Sequence, residues 1–269
     1  MVNERPTLTS RTSERVQAVR RLHARKGRRD AGLFLVEGPQ AVREAATTSL
    51  IVEVFVQADL APQILALVAH LPVTVVSEPV MLALAETASP QGIVAVCRWR
   101  SATLDQALPG GGAPSVLLDG VGEPGNAGAI IRTADAAGAA GVVLTSGSVD
   151  PTNGKCVRAT AGSLFHLPIA TDVTLGEVAA SIDRSRMIFA IATGDAAQEV
   201  GDWLGSVPRS QSICWVFGAE AAGVSEEARA LADVQVRIPI HGRAESLNVA
   251  AAAAVCLYAD AARLHGKLG

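Results

Sequence analysis

Apolar and polar positions alternate in short blocks from Gly32 onward. Leu33 to Val36 is an apolar run closed by Glu37, Gly38 and Pro39, the composition of a strand leaving into a turn, and Gln40 to Thr47 then has helical spacing. Val52 to Val56, Val73 to Val76 and Ile93 to Val96 predict further short strands, with helices over Pro62 to His70 and Pro79 to Ala88. Residues 31–100 are therefore expected to form a small α/β domain. Gly110, Gly111 and Gly112 lie between Pro109 and Pro114, which marks 101–114 as a linker. A second series follows over 115–269. Its strands are Ser115 to Asp119, Gly141 to Leu144, Met187 to Ala192, Ile213 to Phe217 and Val234 to Ile238. Its helices lie near Ala127 to Ala137, Leu175 to Arg184, Ser225 to Ala230 and Leu247 to Leu264. Such alternation predicts a mostly parallel sheet covered on both faces.

Composition agrees with an α/β chain of about two domains: 269 residues, 49% hydrophobic and rich in Ala, Val, Leu and Gly. Only 3% is aromatic, which argues against recognition by stacking bases on an aromatic platform. Cys97, Cys156, Cys214 and Cys256 are far apart and form no CxxC pair, so they predict buried reduced thiols and no metal site. The N-terminus lacks an apolar signal region, and the run Val249 to Ala259 is too short to span a bilayer before Asp260. A soluble, cytoplasmic protein with no membrane contact is expected.

The net charge is −3, but it is unevenly spread. Over residues 11–29, Arg11, Arg15, Arg20, Arg21, Arg25, Lys26, Arg28 and Arg29 face only Glu14, a local balance of +7 that leaves −10 for the remainder. A solvated helix face accounts for such a run. So does an RNA-facing basic arm over residues 1–30, because affinity for a polyanion comes from local Lys/Arg clusters rather than from total charge.

Candidate chemistry concentrates in three segments that each follow an apolar strand: Asn126 to Ala134 (NAGAIIRTA), Phe217 to Gly223 (FGAEAAG) and Ile238 to Ala250 (IPIHGRAESLNVA). Just before the first, Gly120, Gly122 and Gly125 match G-x-G-x-x-G, the pattern of a dinucleotide loop. Pro124 removes a backbone donor that such a loop needs, however, and the next strand ends Leu144, Thr145, Ser146 with no acid for a ribose hydroxyl. Asn126 instead caps a helix beginning at Ala127, and Arg132 emerges from that helix with a guanidinium suited to gripping phosphate. Gly218 and Glu220 stand where the second segment leaves the sheet, and Ser246 and Asn248 precede an Ala-rich helix. Taken singly, each of these residues is also an ordinary cap, turn or ion-pair partner.

Together, and in this order, the three segments resemble the motifs of the SpoU branch of the SPOUT RNA 2′-O-ribose methyltransferases. Lys155 to Pro168 (KCVRATAGSLFHLP) looks like the family's stretch between motifs one and two. Phe34 to Gly38 (FLVEG) and Ser89 to Val96 (SPQGIVAV) are similar to its N-terminal, L30e-like substrate-binding domain. The resemblance implies an α/β trefoil-knot (SPOUT) catalytic domain with a smaller L30e-like α/β domain before it, a homodimer, and S-adenosyl-L-methionine as cofactor. It places cofactor contacts at Ala192, Thr193, Gly218, Ile238 and Leu247, and catalysis at Arg132, supported by Asn126, Glu220, Ser246 and Asn248. It makes Arg158 an RNA contact, beside Arg20, Arg21, Arg25, Lys26, Arg28 and Arg29 of the arm. Glu123 departs slightly from the pattern, since an Asp commonly precedes Pro-Gly-Asn.

The family proposal has the arginine activate a ribose hydroxyl with help from RNA phosphate. A guanidinium is a poor base, so Arg132 is also expected to act by clamping phosphate and stabilising the developing alkoxide. The L30e-like domain and basic arm point to 23S ribosomal RNA as substrate. Transfer RNA, a thiopeptide-resistance target on the ribosome, and a non-catalytic RNA-binding factor are the alternatives.

Overall fold

A computed structural model describes residues 7–194, 196–220 and 222–266. Residues 1–6 of the expected arm and 267–269 of the expected second domain lie outside them. The chain divides into two compact units, 1–100 with 150–165, and 101–149 with 166–269.

The first unit contains α1 (Glu14–Arg20), α2 (Arg25–Ala31), β1 (Leu33–Glu37), α3 (Pro39–Ala46), β2 (Ile51–Gln57), α4 (Pro62–Val68), β3 (Val73–Val76), α5 (Glu78–Leu84) and β4 (Ile93–Arg98). Its sheet runs β1-β4-β2-β3, with β4 antiparallel to both β1 and β2, and β2 parallel to β3. The basic arm is folded into this unit. Ser13 caps α1 through its hydroxyl, Val16, Val19 and Leu22 enter the core beside Val80, Met81 and Leu84, and Leu8 bridges Val76 of β3. Spacing of three residues between apolar positions gives this stretch a buried stripe, and its arginines mostly occupy the other side.

The second unit begins within the expected linker. There α6 (Leu104–Ala107) is closed by a capping box between Thr103 and Gln106, and Ala107 and Leu108 join the core. Then come β5 (Ser115–Asp119), α7 (Pro124–Ala136) and β6 (Val142–Thr145). The chain returns to the first unit for α8 (Gly154–Thr160) before β7 (Ile169–Val173), α9 (Leu175–Ser181), β8 (Met187–Ala192), α10 (Val200–Ser206), β9 (Ser212–Gly218), α11 (Glu226–Leu231), β10 (Val234–Val236) and α12 (Val249–His265).

This sheet has the order β10-β8-β9-β5-β6-β7 and is parallel throughout. Strands β5, β6 and β7 run outward in one direction; β8 then starts on the far side and β9 returns to lie beside β5. A parallel sheet of this kind binds ligands beyond its carboxyl ends, where strand order reverses. Helix α12 is held over the sheet by Asp260, whose carboxylate accepts from the Trp215 indole at 3.0 Å and pairs with Arg263 at 2.6 Å. Burial raises the Asp260 pKa against the opposing pull of Arg263 and the indole.

Besides α1 and α2 of the arm and α6 of the linker, three elements escape sequence patterning. Strand β7 has an irregular register against β6 and contains Asp172 at φ 57, so no clean alternation marks it. Helix α10 contains Gly201 and Gly205, weak helix formers, yet Trp203 packs edge-on to Trp215 with centroids 5.7 Å apart. Such an aromatic pair contributes about 0.5–1.5 kcal/mol beyond area burial, enough to override the glycines. Helix α8 ends at Ala161, a left-handed cap without the glycine that would announce it. All four cysteines are free and buried, and burial pushes the Cys97 and Cys156 thiols up to about 12. Among the described residues no helix is long and apolar enough to cross a membrane.

Candidate active site

The three segments follow the carboxyl ends of β5, β9 and β10, and the end of β8 adds Ala192 and Thr193 to the same region. After β5, Asp119 accepts a hydrogen bond from the Ser225 amide at 2.7 Å, fixing the chain that follows β9. Gly120 takes φ 66, and its amide donates to the Thr145 hydroxyl at 3.1 Å, so it is not free to cradle a phosphate. The glycine pattern is thus a turn stitched to β6 rather than a dinucleotide loop.

Helix α7 begins at Pro124, two residues before the expected Asn126 cap, because a proline at the first turn lacks the amide that would otherwise go unpaired. Glu123 stands at the cap position instead. Asn126 is released from capping, and its side-chain oxygen accepts from the Asn248 amide nitrogen at 3.2 Å.

Asn248 joins all three segments. Its oxygen accepts from the Ala250 and Ala251 amides at 2.9 and 3.4 Å, capping α12, while its nitrogen donates to Asn126 and, at 2.5 Å, to Glu220. One planar amide therefore starts a helix and ties together residues that are 122 and 28 positions away. Both its oxygen and its nitrogen are engaged, which fixes the ring of contacts in one orientation.

Beside this junction lies a cavity of about 400 Å³ lined by Ala192, Thr193, Gly218, Glu220, Ser246 and Leu247, among others. A contiguous recess of about 130 Å³ adds Ile238 and Glu245 and shares Ala192, Thr193, Ser246 and Leu247. At Gly218 the backbone of the following turn passes so close that a Cβ would lie 2.2 Å from the Gly223 carbonyl. Only glycine leaves room there, and the turn closes with the Gly223 amide donating to the Ala219 carbonyl at 2.7 Å. Size, apolar walls from Phe217, Leu247 and Val249, and a few convergent polar groups are those of a small-molecule site.

All five residues expected to bind cofactor line these two spaces, and so do Glu220, Ser246 and Asn248. Asn126 reaches the cavity through Asn248, whereas Arg132 does not line it. Arg132 is exposed on α7 and, among the described residues, makes no hydrogen bond or ion pair. The sequence reading missed Arg229, which lines the cavity from α11, and the buttressing role of Asp119. Nothing local marks Arg229; an acid directly before the glycine turn was the available signal for Asp119.

Within the first unit the expected RNA-contacting residues divide. Arg20, Arg21, Arg25, Lys26 and Arg29 are exposed, but Arg28 is only 5% exposed. Its guanidinium pairs with Asp150 at 2.7 Å and donates to Thr152 and to the Leu22 and His23 carbonyls. Arg28 is thus corrected from an RNA contact to a structural residue, since its donors are already engaged inside the unit. At Asp150, burial raises the pKa, but hydrogen bonds from Thr152 and Arg28 outweigh it and the net shift is downward. Arg158 is partly exposed and lies 3.2 Å from Glu86 and 3.5 Å from Glu37. Among the described residues no group of three or more His, Cys, Asp or Glu side chains is gathered to hold a metal ion.

Residues 113–258 match the SpoU rRNA Methylase family, and residues 13–95 match the MRM3-like substrate binding domain. The 23S rRNA (guanosine(2553)-2′-O)-methyltransferase RlmP of Bacillus subtilis is 34% identical over 93% of this chain and 97% of its own. The SpoU methyltransferase AviRb of Streptomyces viridochromogenes, solved with AdoMet, superposes with a TM-score of 0.84 at 28% identity, over 94% of this chain and 99% of its own. An AdoMet-bound rRNA methyltransferase of Sinorhizobium meliloti gives 0.83 at 31% identity, over 96% and 97%.

Proposed function

The chain belongs to the SpoU rRNA methylase family and has its α/β SPOUT fold, and on that premise we propose that it methylates a ribose 2′-hydroxyl of 23S ribosomal RNA, using S-adenosyl-L-methionine. The observation that carries this reading is the Asn248 junction, which brings Asn126, Glu220 and the head of α12 together at the rim of a cavity of cofactor size. That cavity fits the cofactor chemically: apolar walls suit an adenine and a methionyl chain, and the close turn at Gly218 exposes backbone to it.

When bound, the cofactor supplies an electrophilic methyl group on a sulfonium. Ala192, Thr193, Gly218, Ile238 and Leu247 would hold it. Asn126, Glu220, Ser246 and Asn248 would orient the ribose and fix the surrounding loops. These residues would hold the ribose hydroxyl toward that methyl group while its proton passes to solvent water, so positioning supplies much of the rate. Arg132, permanently charged and without a partner among the described residues, would clamp the adjacent RNA phosphate and stabilise negative charge growing on the ribose oxygen.

The exposed Arg20, Arg21, Arg25, Lys26 and Arg29 would track RNA phosphates, with an L30e-like domain over 31–100 gripping a structured hairpin and Arg158 adding a contact. Ile240, Leu247, Val255 and Tyr258 are apolar and 38–41% exposed, and Val255 and Tyr258 share one face of α12. A second copy of the chain would cover them, giving a homodimer. A ribosomal RNA substrate implies work in the cytoplasm. Mapping of 2′-O-methylation in 23S rRNA from cells with and without the gene tests the proposal: one nucleotide should lose its methyl group. A map without change, together with no transfer of labelled methyl to 23S rRNA in vitro, would overturn it.

A further inference from the structure

In the first unit, α1 and α5 pack on a common core through Val16, Val19, Val80, Met81 and Leu84, all buried. Their outer faces leave a groove of about 580 Å³ between them. One wall is basic: Arg11 and Thr12 lead into α1, and Gln17 and Arg20 lie one turn apart on it. The other wall is Glu78 and Pro79 with Leu82 and Ala83 one turn on. Leu82 is 48% exposed, more than any other large apolar side chain of the described residues. Among those residues the Arg11, Arg20 and Glu78 side chains make no hydrogen bond or ion pair, although all three are charged and line one groove.

We infer that this groove binds one unpaired RNA nucleotide, with its flanking phosphates on Arg11 and Arg20, its base against Leu82 and Pro79, and the base edge read by Glu78. Unpaired guanidinium groups select a polyanion, and the local excess of basic residues over residues 11–29 favours RNA over an acidic peptide of limited charge. An apolar wall beside them suits the face of an unstacked base. A carboxylate only accepts hydrogen bonds, through two oxygens side by side. Guanine is the base whose Watson–Crick edge offers an N–H and an NH₂ together, so Glu78 selects guanine. The inference rests on the proposed RNA methyltransferase activity and adds to it a recognition site on the first unit.

Fluorescence anisotropy of the full chain with short oligouridylates, each carrying one central guanosine, adenosine or cytidine, tests it. The guanosine oligomer should bind about tenfold more tightly than the others, and Glu78→Gln should abolish that preference. The double variant Arg11→Ala/Arg20→Ala should weaken every oligomer by about tenfold and lower the salt slope by about 1.4, as loss of two single-strand phosphate contacts requires. Unchanged affinity in the double variant, or a guanosine preference that survives Glu78→Gln, would overturn the inference. So would a lower sedimentation coefficient in Leu82→Ser with oligomer binding intact, which would make the groove a protein contact. Methyl transfer to 23S rRNA by the wild type is measured alongside. If it is absent while the groove variants behave as expected, the enzymatic proposal fails and the groove stands; if it is present and the groove variants bind like wild type, only the groove fails.

Discussion

The junction around Asn248 and the junction around Arg28 use the same kind of contact to opposite ends. Both gather residues more than a hundred positions apart through one polar side chain. At Asn248 the contact is open: Asn248 and Glu220 are exposed and border a cavity, Asn126 is half-buried behind them, and Glu220 and Ser246 retain hydrogen-bonding capacity toward the cavity. At Arg28 the guanidinium is enclosed and its donors are met by a carboxylate, a hydroxyl and two carbonyls. Spare polar capacity beside open space is what a site offers a ligand, whereas a saturated, buried network fixes structure. Charge alone does not separate the two, as Arg28 and its exposed neighbours Arg25, Lys26 and Arg29 make plain.

The sharpest way to break this contrast is Arg28→Ala. Removing one partner of an enclosed ion pair should cost about 3–5 kcal/mol of stability, seen as a lowered denaturant midpoint. A loss confined to RNA affinity, with stability unchanged, would return Arg28 to the RNA-binding face. Next in size, Arg132→Ala should slow methyl transfer by about 10²–10³-fold at unchanged stability, with cofactor affinity held within about twofold in calorimetry. Full activity in that variant would remove Arg132 from the mechanism.

Asn248→Ser keeps a capping oxygen for α12 but loses the amide donor to Asn126 and Glu220. Activity should fall by about tenfold or more while stability changes by about 0.5 kcal/mol or less. Equal losses in both would mean that the residue serves only as a cap. The smallest effect concerns pH. The Asp150 pKa is lowered in the folded chain, so its stabilisation is complete above the ordinary aspartate range and is lost as pH falls through the lowered value. Below about pH 4 the wild type should therefore lose more stability per pH unit than Asp150→Asn.

Patterning located most strands and the site because both depend on local composition. Strands β5, β8 and β9 are short apolar runs ending in Asp119, Ala192 and Gly218, and the polar residues just past such ends are where ligands meet a parallel sheet. Helix α10 was not legible, because it is held by Trp203 packing on Trp215 rather than by its own residues. Nor was the start of α7, where Pro124 and Glu123 compete with Asn126 for the cap and the local signals do not decide.

The sequence by itself determined the two α/β series and the carboxyl-end location of the three segments. Each is written in residue types within a few positions of one another. Only the tertiary structure decided that Asn248 would hold Asn126 and Glu220, that residues 150–165 would pack with the first unit, and that Arg28 alone of its basic run would turn inward to Asp150. A side chain's task depends on whether a partner from elsewhere in the chain satisfies it and excludes water, and that partner is chosen by the packing of the whole unit.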